Sequence, residues 1–169
     1  MVKVIAIVVL LVAAFVGAAY FMQEGPSPYD LPRAVPIDPP AGATVLPDEV
    51  RAADVLRPVL TLRGEAAEAA AAEWIGLWSP MRGWQGAVKR IEVRADSTWF
   101  SVDMYDSTII GNQLYLEVVV PGGVPQIKEG TPVIVRGRIS NVIPSPDVAL
   151  VPGRVCIDQA TVISPATPE

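Results

Sequence analysis

The chain has 169 residues, of which 51% are hydrophobic, and its formal net charge is −5. It contains no histidine and a single cysteine, Cys156. These counts exclude an intramolecular disulfide, every catalytic site that needs histidine, and zinc sites built from paired cysteines and histidines. The sequence predicts no catalytic residue, metal or cofactor.

The amino-terminal segment is an uninterrupted apolar run. Residues 4–22 carry no charged side chain, and as a helix they would extend roughly 28 Å, about the thickness of the hydrocarbon core of a bilayer. Lys3 before the run and Glu24 after it place the following residues on the extracytoplasmic side. We therefore predict a single-pass membrane anchor over residues 1–22. The alternative is a signal peptide cleaved after the small residues 17–19, which would make the protein a secreted one.

A proline-rich segment follows over residues 23–60. It holds eight of the 17 prolines of the chain. Proline lacks a backbone donor and favours an extended backbone, so this composition predicts a semi-rigid spacer between the membrane and the next domain. A short helix is predicted over residues 48–57, with acidic residues in its first turn and Pro58 at its end.

A second helix is predicted within residues 61–80. The alanine-rich stretch 64–78 has high helix propensity, and Pro80 ends it. Trp74 and Trp78 fall on one face of this helix. We expect that face to pack on the following domain; the alternative is a hydrophobic docking surface formed by the two tryptophans.

Residues 81–164 change to a pattern of alternating apolar and polar residues, followed by a tail over residues 165–169. The pattern predicts five strands, over residues 84–94, 99–105, 113–120, 130–140 and 154–163. The alternation slips at Lys89-Arg90, which indicates a β-bulge, and Gly137 interrupts the fourth strand, which indicates a bend. A bulged and bent set of strands favours a small curved barrel over a flat sheet.

Three stretches carry a family resemblance: GAVKRIEV at residues 86–93, LEVVVP at 116–121 and GTPVIVRGRI at 130–139. With them, the domain resembles an OB-fold, a five-stranded Greek-key barrel, and is most similar to the OB domains related to anticodon-binding modules. The predicted architecture is thus mainly β, with this barrel preceded by a short helix, a Pro-rich tether and a transmembrane helix.

The resemblance implies a ligand face on the second and third strands. Its outward residues would be Trp99, Ser101, Asp103 and Tyr105 on the second strand, and Tyr115, Glu117 and Val119 on the third. Aromatic residues at such positions can stack on bases or fill pockets in a partner. On the fourth strand Arg136 and Arg138 would form an anion patch, or simply a solvated strand face that discourages edge pairing.

The charge of the barrel region argues against nucleic acid as the ligand. Residues 82–164 contain eight basic and eight acidic residues, and two of the acids, Asp103 and Glu117, lie on the implied ligand face. A face that follows phosphates needs net positive charge. The sequence therefore favours a non-enzymatic, membrane-anchored module that binds a protein partner or serves as an accessory subunit of a membrane complex. Binding of nucleic acid or another oligomer through the second and third strands is the alternative.

Overall fold

The computed structural model describes residues 26–104, 115–143 and 153–164. The predicted anchor at residues 1–22, the tail at residues 165–169 and Tyr105 lie outside these ranges. Within them, no helix has the length and apolar character needed to cross a bilayer.

Five strands form a closed barrel. They are β1 (Trp84–Val93), β2 (Ser97–Met104), β3 (Tyr115–Pro121), β4 (Pro132–Ile143) and β5 (Arg154–Ile163). Around the barrel their order is β1-β2-β3-β5-β4, with β3 and β5 parallel and the other neighbours antiparallel. The prediction of a mainly β, five-stranded barrel is confirmed, and this arrangement is compatible with an OB-like fold.

The barrel interior is filled by every second residue of the strands. In β2 and β3 each buried residue alternates with a half-buried one, as expected where one face of a sheet packs inward. The largest buried side chains include Phe100, Leu116, Ile139 and Ile157, none more than 1% exposed. Removing this apolar surface from water supplies the main force that holds the barrel together.

The predicted bulge in β1 is present, because the register with β2 shifts between Val88 and Arg90. Several strand boundaries differ from the predicted ones by up to three residues. The start of β2 differs most clearly, because β2 begins at Ser97, where the sequence predicts a turn. The cause is Thr98, which is fully buried and donates its hydroxyl to the carbonyl of Gly122 at 2.8 Å. A polar residue that is satisfied inside the barrel does not show in an apolar alternation pattern.

The predicted bend in β4 also occurs at Gly137, where the register with β5 shifts. A Cβ atom at Gly137 would lie 2.5 Å from Ile157 Cγ2 and 2.8 Å from the carbonyl oxygen of Asp158. Opposite the bend, Gln159 adopts a positive φ of 46°, which is the backbone geometry of an extra residue in a bulged strand. Close approach of β4 and β5 at this point therefore requires glycine.

The first helix, α1 (Ala52–Thr61), packs against the barrel beside the start of β5. Leu56 is 1% exposed, and its Cδ1 lies 2.9 Å from the position of a Cβ at Gly153, just before β5. We predicted a helix ending at Pro58 within the spacer, and this boundary is wrong: the helix begins later, and Pro58 lies inside it on the exposed side. Burial of Leu56 and Val59 on either side of Pro58 compensates for the hydrogen bond that proline cannot donate.

The second helix, α2 (Glu65–Ala72), is shorter than the predicted 64–78. The chain turns at Gly76, which has a φ of 89° and donates its N–H to the carbonyl of Ile139 at 2.8 Å. Residues 77–79 then run beside β4, with Ile139 N–H donating to the carbonyl of Leu77 at 2.8 Å. Pairing with β4 thus overrides the helix propensity of the sequence.

Residues 26–50, here called the strap, lie along the barrel, whereas the proline content predicted a spacer. Prolines cannot donate, but their carbonyls still accept, and the residues between them donate. Gly123, after β3, donates to the carbonyl of Pro32 at 2.8 Å and accepts from Ala34 at 3.0 Å. Farther on, Ile37 N–H donates to Thr161 Oγ1 at 2.8 Å. The strap is therefore part of the folded domain.

Candidate partner-binding face on β2, β3 and β5

The outward residues of β2 and β3 form one continuous surface. Cross-strand pairing places Trp99 beside Val119, Ser101 beside Glu117, and Asp103 beside Tyr115. All six residues are half-buried, and their inward neighbours are buried. The structure thus brings the predicted Trp99, Ser101 and Tyr115 together on one side of the barrel.

A basic side chain lies beside each of the two aromatic rings on this surface. These basic residues are Lys89 on β1 and Arg94, which directly follows β1. Lys89 Nζ lies 2.5 Å from Tyr115 Oη and 4.3 Å from the centre of the ring. The guanidinium carbon of Arg94 lies 5.7 Å from the centre of the Trp99 ring. The hydrogen bond with Tyr115 raises the pKa of Lys89. Both cations are within the distance at which a ring face attracts positive charge.

Glu117 lies at the centre of the surface and has partners on β5. Its Oε1 accepts a hydrogen bond from Arg154 Nη1, and its Oε2 lies 3.7 Å from Cys156 Sγ. Burial raises the pKa of Cys156 to about 11, and the Glu117 carboxylate adds to the effect. A thiol with this pKa stays protonated at neutral pH, so Cys156 lacks the thiolate that a nucleophile requires.

The two arginines predicted on β4 have different environments. Arg138 forms a two-pronged ion pair with Asp158 on β5, with distances of 2.9 Å (Nε–Oδ1) and 2.6 Å (Nη2–Oδ2). The Nε atom of Arg136 is buried and finds no hydrogen-bond partner among the described residues. The positive charge of Arg138 is therefore balanced within the fold, and the two side chains do not act as an equivalent pair.

The tryptophans predicted as a docking surface are positioned differently from each other. Trp78 is 3% exposed, and its backbone bridges Val45 of the strap and Arg138 of β4. Trp74 is half-buried and packs against the hydrophobic core. The structure thus packs this side of the segment against the domain, and Trp78 has almost no surface to offer a partner.

Several residues of this face were missed by the sequence analysis. They are the partners of the predicted residues: Lys89, Arg94, Arg154 and Asp158. Each lies on a different strand or turn from the residue it contacts, so the pairing depends on strand order and register. The parallel pairing of β3 with β5 could not be predicted from the sequence. This pairing places Tyr115 beside Arg154 and Glu117 beside Cys156.

In the part of the chain that the structure describes, no group of three or more acidic, cysteine or histidine side chains is arranged to hold a metal ion. Comparison of the chain with protein family models, with curated proteins and with solved structures finds no match. The interpretation of the face therefore depends on its own geometry and charge.

Proposed function

We propose that this protein is a non-enzymatic, membrane-anchored OB-like module that binds a protein partner on the extracytoplasmic side, as an accessory subunit of a membrane complex. The binding face consists of Trp99, Ser101 and Tyr115 with their neighbours on β5. One observation carries the proposal: most charges on this face are paired within the fold, and the two residues that form no ion pair with a described residue, Lys89 and Asp103, carry opposite charges. Glu117 pairs with Arg154, and Asp158 pairs with Arg138.

Internal pairing of charges favours a protein over a nucleic acid as the partner. A protein that tracks a phosphate backbone uses uncompensated lysines and arginines. Here, Arg94 lies beside the Trp99 ring but also pairs with Glu92 at 3.2 Å. Protein interfaces, in contrast, concentrate binding energy in aromatic side chains surrounded by polar groups that exclude water. Trp99 and Tyr115 are such candidates.

The membrane part of the proposal is supported by the sequence of residues 4–22, which contains no charge over a bilayer-spanning length. The charges on either side of this run favour an extracytoplasmic location for the folded domain. Release as a secreted protein is the alternative if the amino terminus is cleaved.

A second candidate function is binding of a single-stranded nucleic acid, as in the anticodon-binding-like OB domains that the sequence resembles. Two aromatic rings with cations 4.3 Å and 5.7 Å from their centres support it, because bases stack on aromatic residues beside basic ones. Titration with single-stranded oligonucleotides at low salt, followed by tryptophan fluorescence, tests this function. Absence of quenching would exclude it.

The protein-binding function is tested by affinity capture of the tagged full chain from detergent-solubilised membranes. We expect a stoichiometric protein partner whose affinity falls about tenfold or more in Trp99→Ala or Tyr115→Ala, because aromatic residues at the centre of an interface commonly contribute over about 1.4 kcal/mol. Met81→Ala is the control, since Met81 is a 49% exposed hydrophobic residue outside this face. Equal capture by all three variants would contradict the assignment of the face.

A further inference from the structure

The strap exposes a group of residues that the proposed binding face does not use. Tyr29 is 77% exposed and Val35 is 73% exposed, the highest values among the large hydrophobic residues that the structure describes. Arg33 lies between them along the chain, is exposed, and forms no ion pair with any described residue. An aromatic, a cationic and an aliphatic side chain are thus presented to solvent within seven residues.

Two clefts flank Arg33 and join these residues into one surface. One cleft, of about 330 Å³, is lined by Tyr29, Leu31 and Arg33. The other, of about 350 Å³, is lined by Arg33 and Val35 and by apolar residues at the end of β5. Arg33 borders both clefts, so the cation stands between two partly apolar recesses.

The position of this surface along the chain indicates what it faces. The strap is docked on the barrel from Pro28 onward, since the carbonyl oxygen of Pro28 lies 2.1 Å from where a Cβ at Gly123 would be. Six residues lie between Met22, the last of the apolar run, and Tyr29, and the seven Cα–Cα steps of an extended chain cover at most about 25 Å. If residues 4–22 span the bilayer, Tyr29 therefore lies within about 25 Å of the end of the membrane span, which is near enough for the strap to reach the headgroups.

We propose that Tyr29, Arg33 and Val35 form a membrane contact that binds anionic phospholipid headgroups, so that the barrel rests on the bilayer instead of being held away from it. The inference depends on the membrane anchor of the proposed function. Tyrosine is enriched at membrane interfaces, the arginine fork matches a phosphate, and an aliphatic side chain inserts at shallow depth. Asp30 keeps its negative charge, but its carboxylate is held within its own turn, where it accepts the Ser27 N–H at 2.9 Å, so the contact with the phosphate is assigned to Arg33.

The contact is tested with the full chain reconstituted in vesicles of phosphatidylcholine, with or without phosphatidylglycerol. Three variants each carry one cysteine, at position 29, at position 35 or, as the control, at position 62. All three are made in a Cys156→Ser background, and a cooperative thermal unfolding transition confirms that this background is folded. Leu62 is a suitable control because it is 39% exposed and lies just after α1. The helix α1 packs near the start of β5, whereas the strap packs near the end of β3, at the other end of the barrel. Each cysteine carries a fluorophore, and quenching by acrylamide from the aqueous phase is measured.

We expect the labels at positions 29 and 35 to be quenched about threefold less in vesicles containing phosphatidylglycerol than in vesicles of phosphatidylcholine alone, because binding to anionic headgroups brings shallow insertion that removes access from water. The label at position 62 should be quenched equally in both. Arg33→Glu should restore quenching at position 35 in the anionic vesicles, since it replaces attraction to phosphate with repulsion.

The outcomes separate this inference from the proposed function. Flotation of the vesicles measures anchoring independently of quenching. A chain that floats with the vesicles but is quenched equally at positions 29, 35 and 62 overturns the membrane contact and leaves the anchor intact. A chain that does not float overturns both. Quenching that is unchanged by Arg33→Glu overturns the assignment of Arg33 to the lipid phosphate.

Discussion

Substituting Gly137 with alanine inserts a methyl group where β4 bends against β5. The new Cβ would lie 2.5 Å from Ile157 Cγ2, 2.8 Å from the carbonyl oxygen of Asp158 and 3.0 Å from Ala160 Cα. Non-bonded carbon atoms prefer separations of about 3.5–4.0 Å, so the neighbours must move by roughly 1 Å. Two of the three contacts are backbone atoms of a hydrogen-bonded strand, which cannot rotate away as a side chain does.

Overpacking of this kind costs about 1–3 kcal/mol, and the backbone contacts place Gly137→Ala in the upper half of that range. For a folded domain of this size we expect the melting temperature to fall by roughly 8–12 °C. The assay is thermal unfolding followed by circular dichroism. Gly42→Ala is the control, because Gly42 has a φ of 85° but no atom within 4 Å of the new Cβ, so it should lose only about 1 kcal/mol from backbone strain. A Gly137→Ala protein that melts no lower than the control would refute the close β4–β5 packing.

Three further predictions test the strap, α1 and Cys156. Leu56→Ala should lower the free energy of unfolding in urea by about 3 kcal/mol, and Leu62→Ala by less than about 1 kcal/mol, because only Leu56 is buried against the barrel; equal losses would show that α1 is not part of the core. Thr161→Val removes the hydroxyl that holds the strap, so tryptic cleavage after Arg33 should become several-fold faster, and an unchanged rate would contradict the docked strap. The pKa of Cys156, about 11, predicts alkylation at pH 8 about two orders of magnitude slower than in the unfolded chain. The unfolded chain releases this proton at a lower pH than the folded chain does. The stabilising contribution of the protonated thiol should therefore be complete below about pH 8.5 and decline as the pH rises toward 11. Equal alkylation rates in the folded and unfolded chain would contradict both the slow alkylation and this pH dependence of stability.

The barrel could be predicted from the sequence because its signals are local. Alternation of apolar residues marks the strands, and the slip at Lys89-Arg90 and the glycine at position 137 mark the bulge and the bend. The start of β2 was missed because Thr98 is polar yet buried, with its hydroxyl satisfied by a carbonyl 24 positions away. Such a bond has no signature in a short window of sequence.

The strap and the charge pairs could not be predicted for a related reason. Proline content reports the local backbone conformation, and an extended segment can be either free or docked. Docking depends on partners far along the chain, such as the contact between Ile37 and Thr161. The ion pair between Glu117 and Arg154 likewise requires the parallel pairing of β3 and β5. Residues 82–164 have a net charge of zero in the sequence, and only the fold shows which of their charges pair with each other.

The most direct test of the proposed function is photo-crosslinking in native membranes. A photoreactive phenylalanine analogue replaces Trp99 on the binding face or, as the control, Leu62 beyond α1. We predict one discrete protein adduct from position 99, lost when Tyr115→Ala is added, and no such adduct from position 62. Absence of a protein adduct at position 99, or the same adducts from both positions, would contradict a protein-binding face on β2 and β3.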